Sequence, residues 1–448
     1  MFLKPGRLRY DRDDGWSAAV IELPRTCSGT IVQGIRMNDN LSDFVVIPEN
    51  APLRFRSRLG LMPSETPRVA FIAGPGDVAG TFDHWIEGRF DPRTPVVAYS
   101  TMFYTLIEKL QSMALIISEP EGLPKHRDPR FRFVRIPRDR PNGSFSYRKA
   151  SLVFSRNVAR ELKKFEPHVV LLGVDTPWWL MRSIPKSTRV VLTAHNNFWP
   201  MGLKSDSLKD RLKRRMTSMS MQRVCSGVCT SEETRRQVTE LRPGAGTGLY
   251  SEVPQVLSKF LRVPRRPEQL TRILFLGRLQ EEKGVFDLLA AFEAVAFRNP
   301  GLTLAFAGTG EVEDELRRRM ALSPHRSRIS MLGQLSAEDV HRELERTDLL
   351  VCPTRSTFPE GLALVVVEAA VHGVPAILSS VVPAKELVAE ACVEFPANDA
   401  QALTSALASL ANDTEKLHEL QDMLAKGRQK FFDRSLSWGS QLYNAFVA

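Results

Sequence analysis

Two series of short apolar runs, each alternating with helix-length segments, constrain the fold of this chain more than any other feature. Such alternation is typical of parallel sheets whose faces are covered by helices. The first series lies at residues 68–74, 113–118, 168–173, 189–194 and 224–230, and the second at 272–277, 302–308, 348–352 and 374–378. The sequence therefore predicts an α/β fold with two parallel sheets.

The length of 448 residues suits two or three domains. The basic, proline-containing segment 262–267 (RVPRRP) separates the two series and is typical of a linker. We therefore predict an N-terminal domain over residues 66–262, a C-terminal domain over 263–430, and a final helix in 431–448 that returns to the N-terminal domain. Residues 1–65 form an extension without an assigned role. Strand-like runs occur in it at residues 18–23 and 44–48.

The positive charge of the chain is concentrated in its first part. Residues 1–264 contain 41 Lys and Arg against 26 Asp and Glu, a net charge of +15, whereas residues 265–448 contain 20 against 25, a net charge of −5. A basic domain can attract the phosphates of a nucleic acid, a membrane surface or a phosphorylated substrate. Charge alone does not choose among these partners.

Several classes of protein are disfavoured by the sequence. The longest apolar stretch, 362–378, is interrupted by Glu368 and Pro375, so no transmembrane helix is expected. The first 16 residues lack the apolar core of a secretory signal. Five cysteines without close CxxC pairs predict neither a disulfide framework nor a zinc site. Together these features indicate the reducing cytoplasm.

The segment 353–375, PTRSTFPEGLALVVVEAAVHGVP, contains the strongest chemical signal. Its apolar spacing predicts a largely buried helix that contains Glu368. A buried carboxylate needs either a basic partner in a structural salt bridge or a polar ligand. If Glu360 and Gly361 open this helix, the backbone N–H groups that follow would favour an anion such as a phosphate. These N–H groups belong to Gly361, Leu362 and Ala363.

The segment 274–284, LFLGRLQEEKG, is the second signal. A strand is predicted to end at Gly277, a small residue that a ligand can approach closely. Arg278 and Lys283 flank the following turn. A guanidinium fork and an ammonium point charge together suit a diphosphate, although two basic loop residues can also be simply solvated.

The C-terminal half resembles glycosyltransferase family 4, the retaining enzymes of GT-B fold. The resemblance rests on five pieces in order, namely GRLQEEKG, AFAGTGEVEDEL, GQLSAEDVHRELERTDLLVCPT, the Glu360-x7-Glu368 pair and HGVP. The resemblance covers roughly residues 268–430. It implies two Rossmann-like domains that face each other across a cleft, with the nucleotide sugar bound by the C-terminal domain. The family's usual Glu-Gly-Phe-Gly is Glu-Gly-Leu-Ala here, so the identity of the donor sugar cannot be carried over.

By this resemblance, Arg278 and Lys283 would hold the donor diphosphate and Glu360 would be a catalytic residue that contacts the donor sugar. Glu368 would bind the ribose, which supplies the polar ligand that its burial requires. The base would face the stretch around Leu332 and Gln334.

The N-terminal domain resembles the family more loosely. A glycine-rich loop at 73–85, AGPGDVAGTFDHW, follows the first predicted strand, as an acceptor-domain loop near the donor phosphates would. Its glycines are Gly74, Gly76 and Gly80. Their GxGxxxG spacing differs from the GxGxxG of dinucleotide-binding oxidoreductases, which argues against that class.

Two further segments have both a functional and a structural interpretation. His195, in TAHNNFW, follows a predicted strand and matches a position where family members often have a histidine near the donor sugar; a histidine at a strand end can equally be structural. The segment 204–223 is a basic amphipathic helix, either a membrane-surface helix or an ordinary surface helix with a packed apolar stripe.

The sequence therefore predicts a retaining glycosyltransferase that moves a sugar from a UDP- or GDP-linked donor to an acceptor hydroxyl. We expect a saccharide or lipid-linked acceptor in cell-surface polysaccharide assembly, no metal cofactor, no nucleic-acid partner, and a cytoplasmic location at the inner face of the plasma membrane. The alternatives are a nucleotide-sugar epimerase of the same fold and a nucleic-acid-binding protein. The latter lacks a known reader motif.

Overall fold

The computed structural model describes residues 40–94, 96–120, 122–139, 144–173, 176, 178–203, 207–253 and 266–448. The predicted run at 18–23 and most of the predicted linker lie outside these residues.

The strands of the described residues form two separate parallel sheets. The first has the order β3-β2-β1-β4-β5-β6-β7 and the second the order β10-β9-β8-β11-β12-β13. In each sheet the strand order reverses next to the strand that comes first in the chain, between β1 and β4 and between β8 and β11, as in a Rossmann fold. The strands of the first sheet are β1 Arg68–Ile72, β2 Met113–Ser118, β3 Phe131–Arg135, β4 Val169–Gly173, β5 Arg189–Ala194, β6 Val224–Cys229 and β7 Gly246–Leu249. Those of the second are β8 Arg272–Leu276, β9 Thr303–Ala307, β10 Ile329–Gly333, β11 Leu349–Cys352, β12 Ala376–Ser379 and β13 Cys392–Phe395.

Helices cover both faces of each sheet. In what we call the N-terminal lobe they are α1 Ala51–Arg58, α2 Val78–Ile86, α3 Tyr99–Lys109, α4 Ser144–Phe165, α5 Trp178–Ser183, α6 Leu208–Met221 and α7 Glu232–Leu241. In the C-terminal lobe they are α8 Val285–Ala296, α9 Glu313–Leu322, α10 Ala337–Leu344, α11 Leu364–Val371, α12 Lys385–Val388, α13 Ala400–Asn412 and α14 Thr414–Gly427. The chain ends in α15, Trp438–Val447.

Alternating side chains of the central strands enter different cores. In β1, Val69 and Phe71 pack on one face of the sheet, and Ala70 and Ile72 pack on the other. Successive side chains of a strand point to opposite faces, so strands that are apolar throughout require a sheet covered on both sides. The predicted two-sheet α/β architecture is confirmed.

The last helix packs on the N-terminal lobe although it follows the C-terminal lobe in sequence. Trp438 and Phe446 are fully buried in the core of the first sheet. The ring of Phe446 stacks on Phe55 of α1 at a centroid distance of 5.5 Å. The indole N–H of Trp438 donates to the Thr193 hydroxyl at 2.9 Å. The last helix therefore ties the chain end to the strand β5 that precedes His195.

Two sequence predictions about local structure are wrong. The run at 44–48 is not a strand, because Phe44 ends a short 3-10 helix, Leu41–Phe44, that is capped by Asn40. The helix predicted to open at Glu360 and Gly361 begins only at Leu364, after Ala363 adopts a left-handed φ of 69°. The first helical turn therefore lies three residues later than predicted.

Candidate active site

A cavity of about 320 Å³ lies at the carboxyl ends of the strands of the second sheet. We call it the C-terminal cavity. It is lined by six of the predicted site residues, namely Gly277, Lys283, Gln334, Glu360, Ala363 and Glu368. In open α/β sheets, ligands bind beyond the carboxyl ends of the strands. The structure thus brings predicted residues from three separate segments to the expected edge of the sheet.

Lys283 and Glu360 form the most buried ion pair of this cavity. The Lys283 ammonium donates to Glu360 Oε2, which also accepts from the Thr354 hydroxyl at 3.2 Å. Only 7% of Glu360 is exposed. The Lys283 ammonium also lies 4.2 Å from the centre of the Phe358 ring, a cation–π contact. Both charges are therefore held in place before any ligand binds.

The position of Lys283 depends on the glycine that follows it. Lys283 ends the 3-10 helix Glu281–Lys283, and Gly284 then adopts a left-handed φ of 73°. A Cβ atom on Gly284 would overlap the Pro353 carbonyl oxygen. Because only glycine accepts both this φ and this close approach, Gly284 lets the Lys283 turn pack against the segment that follows β11.

Glu368 enters the C-terminal cavity from α11. Its side chain is half-buried, and burial raises the pKa of its carboxyl to about 7, with a smaller contribution from the Glu252 carboxylate. No basic side chain of the described residues forms an ion pair with Glu368. The structural salt bridge considered from the sequence is thus not found among them.

The remaining predicted donor residues lie around the cavity rather than in its wall. The Arg278 guanidinium is 5.7 Å from the Phe358 ring, beside Lys283. Leu332 packs against the second-sheet core, while Gln334 and Leu335 line the cavity. The stretch predicted to face the base therefore contributes only its second half to the wall.

The predicted anion site at the helix opening needs a correction. Gly361 and Leu362 precede α11 and are buried, and the Leu362 carbonyl accepts from the Ala384 N–H at 3.0 Å. Of the three predicted residues only Ala363 lines the cavity, and the helix end borders it through Leu364 and Val365 as well. The positive end of the helix dipole still points to the cavity, but from these residues.

The N-terminal lobe contains a larger cavity of about 1010 Å³, which we call the N-terminal cavity. Gly74, Gly76 and His195 line it, as does Leu364, which also lines the C-terminal cavity. The two cavities therefore meet at the start of α11.

Gly80, the third predicted loop glycine, does not line this cavity. It lies in the first turn of α2, where its N–H donates to the capping carboxylate of Asp77 at 2.9 Å. A Cβ atom on Gly80 would overlap that carboxylate. The glycine at this position is thus explained by the helix cap and not by a ligand.

His195 has partners at both ring nitrogens. Nδ1 lies 2.6 Å from the Tyr250 hydroxyl and Nε2 lies 2.8 Å from the Thr193 hydroxyl. The ring stacks on Tyr99 at 4.1 Å, and burial lowers the pKa of His195 to about 4. A neutral imidazole with both nitrogens engaged is poorly suited to proton transfer. The predicted contact of His195 with the donor sugar stays a prediction.

A buried carboxylate continues this network. Tyr99 donates to Glu252, and the hydroxyls of Tyr99 and Tyr250 are 3.1 Å apart. Burial raises the pKa of Glu252 to about 7. Together these side chains fix the strand-end segment that contains His195.

Sequence reasoning missed two residues of the site. Phe358 lies within the strongest motif, but an aromatic residue in a loop gives no signal of a cation–π contact. Asn197, two residues after His195, donates from its amide to the backbone carbonyl of Glu360 at 2.6 Å. A contact between lobes has no signature in the local sequence.

The described residues contain no group of three or more His, Cys, Asp or Glu side chains that could hold a metal ion. Likewise, none of their helices combines the length and the apolar character that crossing a bilayer requires.

Solved structures with similar folds define the class of the protein. Sucrose-phosphate synthase from Thermosynechococcus elongatus aligns with a TM-score of 0.58 at 16% identity, over 85% of this chain and 96% of that chain. A structure described as trehalose-6-phosphate from E. coli bound with UDP-2-fluoro glucose aligns with a TM-score of 0.61 at 10% identity, over 85% and 98%. At such low identities the likeness shows the fold alone, which is the GT-B fold of glycosyltransferases.

Sequence comparisons match both lobes to glycosyltransferase families. The family described as glycosyl transferases group 1 matches residues 258–428, and the one described as glycosyltransferase family 4 matches residues 100–246. Each lobe therefore matches a glycosyltransferase family model, group 1 in the C-terminal lobe and family 4 in the N-terminal lobe. The chain is also 32% identical over 156 residues to glycogen synthase of Mycobacterium tuberculosis (strain ATCC 25618 / H37Rv), a match that covers 33% of this chain and 36% of that protein. The chain thus matches little more than a third of the length of this curated relative.

Proposed function

We propose that the chain transfers a sugar from a UDP- or GDP-linked donor to an acceptor hydroxyl, with retention of configuration at the anomeric carbon. The observation that carries this proposal is the convergence of Lys283, Glu360 and Glu368 on one cavity at the strand ends of the C-terminal lobe. The two glycosyltransferase family matches, one in each lobe, support glycosyl transfer. The UDP-2-fluoro glucose of the similar E. coli structure supports a nucleotide donor.

The C-terminal cavity offers complementary groups to both ends of a nucleotide sugar. Lys283 and Arg278 would neutralise the diphosphate, by a point charge and a planar fork respectively. The Glu368 carboxylate would accept hydrogen bonds from the ribose hydroxyls. Glu360 would orient the sugar, because its Oε2 is already engaged by Lys283 and Thr354 and is a weaker nucleophile for that reason.

In the transfer step, the bond between the anomeric carbon and the phosphate oxygen breaks while the acceptor oxygen bonds to the same face of the sugar. The departing phosphate takes the acceptor's proton, so the proposal requires no separate protein base. Lys283, Arg278 and the N-terminal end of α11 stabilise the negative charge that develops on the phosphate. The proposal assigns no part of this work to a metal ion.

Hydrolysis and transfer assays with a panel of UDP- and GDP-sugars test this proposal. We expect turnover of one donor, faster with its acceptor, and a product that keeps the anomeric configuration of the donor. Release of an altered nucleotide sugar without any acceptor would support the epimerase alternative. Absence of turnover with every donor would contradict glycosyl transfer.

We further propose that the acceptor is membrane-associated, in cell-surface or exopolysaccharide assembly, and that the protein works on the cytoplasmic face of the membrane. The support is α6, whose apolar stripe is exposed rather than packed. The exposed fractions are 83% for Leu208, 59% for Leu212, 40% for Met216 and 68% for Met219. At 3.6 residues per turn these four side chains lie within about 80° of one another around the helix.

Basic residues flank this stripe on the same helix at Lys209, Arg211, Lys213 and Arg215, and Arg214 lies on the opposite face. A helix that combines exposed leucines with surrounding positive charge suits an anionic bilayer, where each basic residue contributes about 1 kcal/mol. A nucleic-acid surface would use the charges but leave the apolar stripe in water. The stripe therefore favours the membrane over nucleic acid.

Sedimentation with vesicles of phosphatidylglycerol and phosphatidylcholine tests this docking. The variant Lys213→Glu/Arg214→Glu/Arg215→Glu and the variant Leu208→Ser/Leu212→Ser should both lose binding to the anionic vesicles. Charge reversal at three consecutive arginines of α9, Arg317, Arg318 and Arg319, is the matched control and should retain it. Equal binding by all variants would contradict docking through α6 and favour a soluble acceptor.

A further inference from the structure

We infer that the N-terminal lobe completes the site around Glu360, and that Asn197 is the residue that positions it. The inference rests on the proposed function, because the contact of Glu360 with the donor sugar is what makes the position of this residue important. Asn197 would act through Glu360, as a positioning residue.

The first observation is a buried hydrogen bond between the lobes. Asn197, in the segment after β5, donates from Nδ2 to the backbone carbonyl of Glu360 at 2.6 Å. Asn197 is 6% exposed and Glu360 is 7% exposed. Buried polar groups are costly to leave without a partner, so removal of the amide would leave the Glu360 carbonyl unsatisfied.

The second observation is that the amide of Asn197 is held from its other end. Its Oδ1 accepts from the Thr234 hydroxyl at 2.7 Å, and this hydroxyl lies 2.8 Å from that of Ser231, which caps α7. If the amide were rotated by 180°, Oδ1 would face the Glu360 carbonyl oxygen, and two acceptors would repel each other. One orientation of Asn197 therefore satisfies both lobes.

The third observation concerns the next residue, Gly361. A Cβ atom there would overlap the carbonyl oxygen of His195 and would come within 3.1 Å of the Asn196 Cα. The peptide that joins Glu360 to Gly361 thus lies directly on the segment 195–197. The His195 ring, held by Tyr250 and Thr193, anchors that segment to its own lobe.

Glu360 is consequently held by both lobes. Its carboxylate is fixed by Lys283 and Thr354 of the C-terminal lobe, and its backbone is fixed by Asn197 of the N-terminal lobe. Glu368 and Gly277, which are proposed to contact the nucleotide, also lie in the C-terminal lobe, but they are not hydrogen-bond partners of Asn197. Loss of the Asn197 amide should therefore disturb the sugar step while it leaves nucleotide binding intact.

The test compares Asn197→Ala and the isosteric Asn197→Asp, both of which lose the N–H donor. Thr234→Val removes the hydroxyl that orients Asn197, and Thr234→Ser is the conservative control that keeps it. We expect kcat to fall about tenfold in both Asn197 variants, with the Kd of UDP or GDP, measured by calorimetry, within about twofold of wild type. Thr234→Ser should retain the wild-type kcat. The kcat of Thr234→Val should lie between that of wild type and that of the Asn197 variants.

Two results would overturn the inference. One is an unchanged kcat in Asn197→Ala. The other is a parallel loss of kcat, nucleotide affinity and Tm, which indicates a merely structural role.

Amide hydrogen exchange of residues 353–366 in the nucleotide-free protein separates this inference from the proposed function. If wild type bound neither UDP nor GDP, the proposed function would fail, yet faster exchange in Asn197→Ala would still support the contact between the lobes. Unchanged exchange in that variant would overturn it.

Discussion

The C-terminal cavity is about a third the size of the N-terminal cavity, about 320 against 1010 Å³, yet it contains more of the predicted site residues. In it, Lys283, Glu360 and Glu368 come from segments that the sequence marks clearly. The N-terminal cavity is lined by short pieces of many strands, helices and loops, with apolar residues such as Phe71 and Phe154 beside an ion-paired group of Asp77, Asp91 and Arg93. A nucleotide offers the same diphosphate and ribose in every donor, whereas acceptors differ in shape. The first cavity is therefore more predictable from motifs than the second, of whose lining only Gly74, Gly76 and His195 were predicted.

The largest effect that tests this contrast is expected at the two basic residues. Lys283→Ala and Arg278→Ala should each lower kcat/KM by at least about tenfold, because each removes a charge that stabilises the departing diphosphate. Lys283 should have the larger effect, since only Lys283 lines the cavity. Steady-state kinetics with the identified donor measures this, and Arg298→Ala, at an exposed arginine of the same lobe, is the control. Near-normal kcat/KM in both variants would remove the diphosphate assignment.

A smaller effect is expected at Glu368. Glu368→Gln should weaken UDP or GDP binding about three- to tenfold, because an amide replaces the charged acceptor of the ribose hydroxyls. The apo protein should melt at the wild-type temperature or slightly above it, because no buried ion pair is broken. Calorimetric titration and melting curves measure both, with the exposed Glu390→Gln as control. A lower apo Tm with unchanged affinity would instead indicate a structural role.

The smallest effect is a pH dependence of stability. Burial raises the folded-state pKa of Glu368 from 4.5 to about 7, so the folded protein holds this proton more tightly than the unfolded chain. The stability that the protonated Glu368 carboxyl contributes is fully present at pH values below its unfolded-state pKa of 4.5. This contribution is lost as the pH rises through the folded-state pKa of about 7. The Tm of wild type relative to Glu368→Gln should therefore fall between about pH 5 and pH 8. A Tm difference between wild type and Glu368→Gln that stays constant over this pH range would show that ionisation of Glu368 does not lower the stability of the folded protein.

Predicted and unpredicted strands occupy different places in the two sheets. Every strand predicted in the two series of apolar runs is present, whereas β3, β7, β10 and β13 had no predicted counterpart. These four are the edge strands of the two sheets. An edge strand is covered less completely, so its residues need not be continuously apolar, as the partly exposed residues of β3 and β10 show. Hydrophobic periodicity therefore finds the centre of a sheet more readily than its edges.

The site shows a similar division. Glu368 was marked by its own residue type because a charge in an apolar helix needs a partner, whereas Lys283 and Glu360 were assigned to the same site by the family resemblance. The start of α11 was misplaced because the left-handed Ala363 delays the helix, and alanine gives no signal of this conformation. Gly80 was grouped with the loop glycines because a glycine needed by a helix cap and a glycine needed by a ligand look alike in sequence. The contact of Asn197 with Glu360 spans 163 residues and depends on how the lobes meet.

The most direct test of the central claim is a crystal structure of the protein with UDP or GDP bound. The account predicts the nucleotide in the C-terminal cavity, with the diphosphate within hydrogen-bond distance of Lys283 and both ribose hydroxyls directed to Glu368. A nucleotide bound in the N-terminal cavity, or one whose ribose and phosphates avoid Glu368 and Lys283, would contradict it.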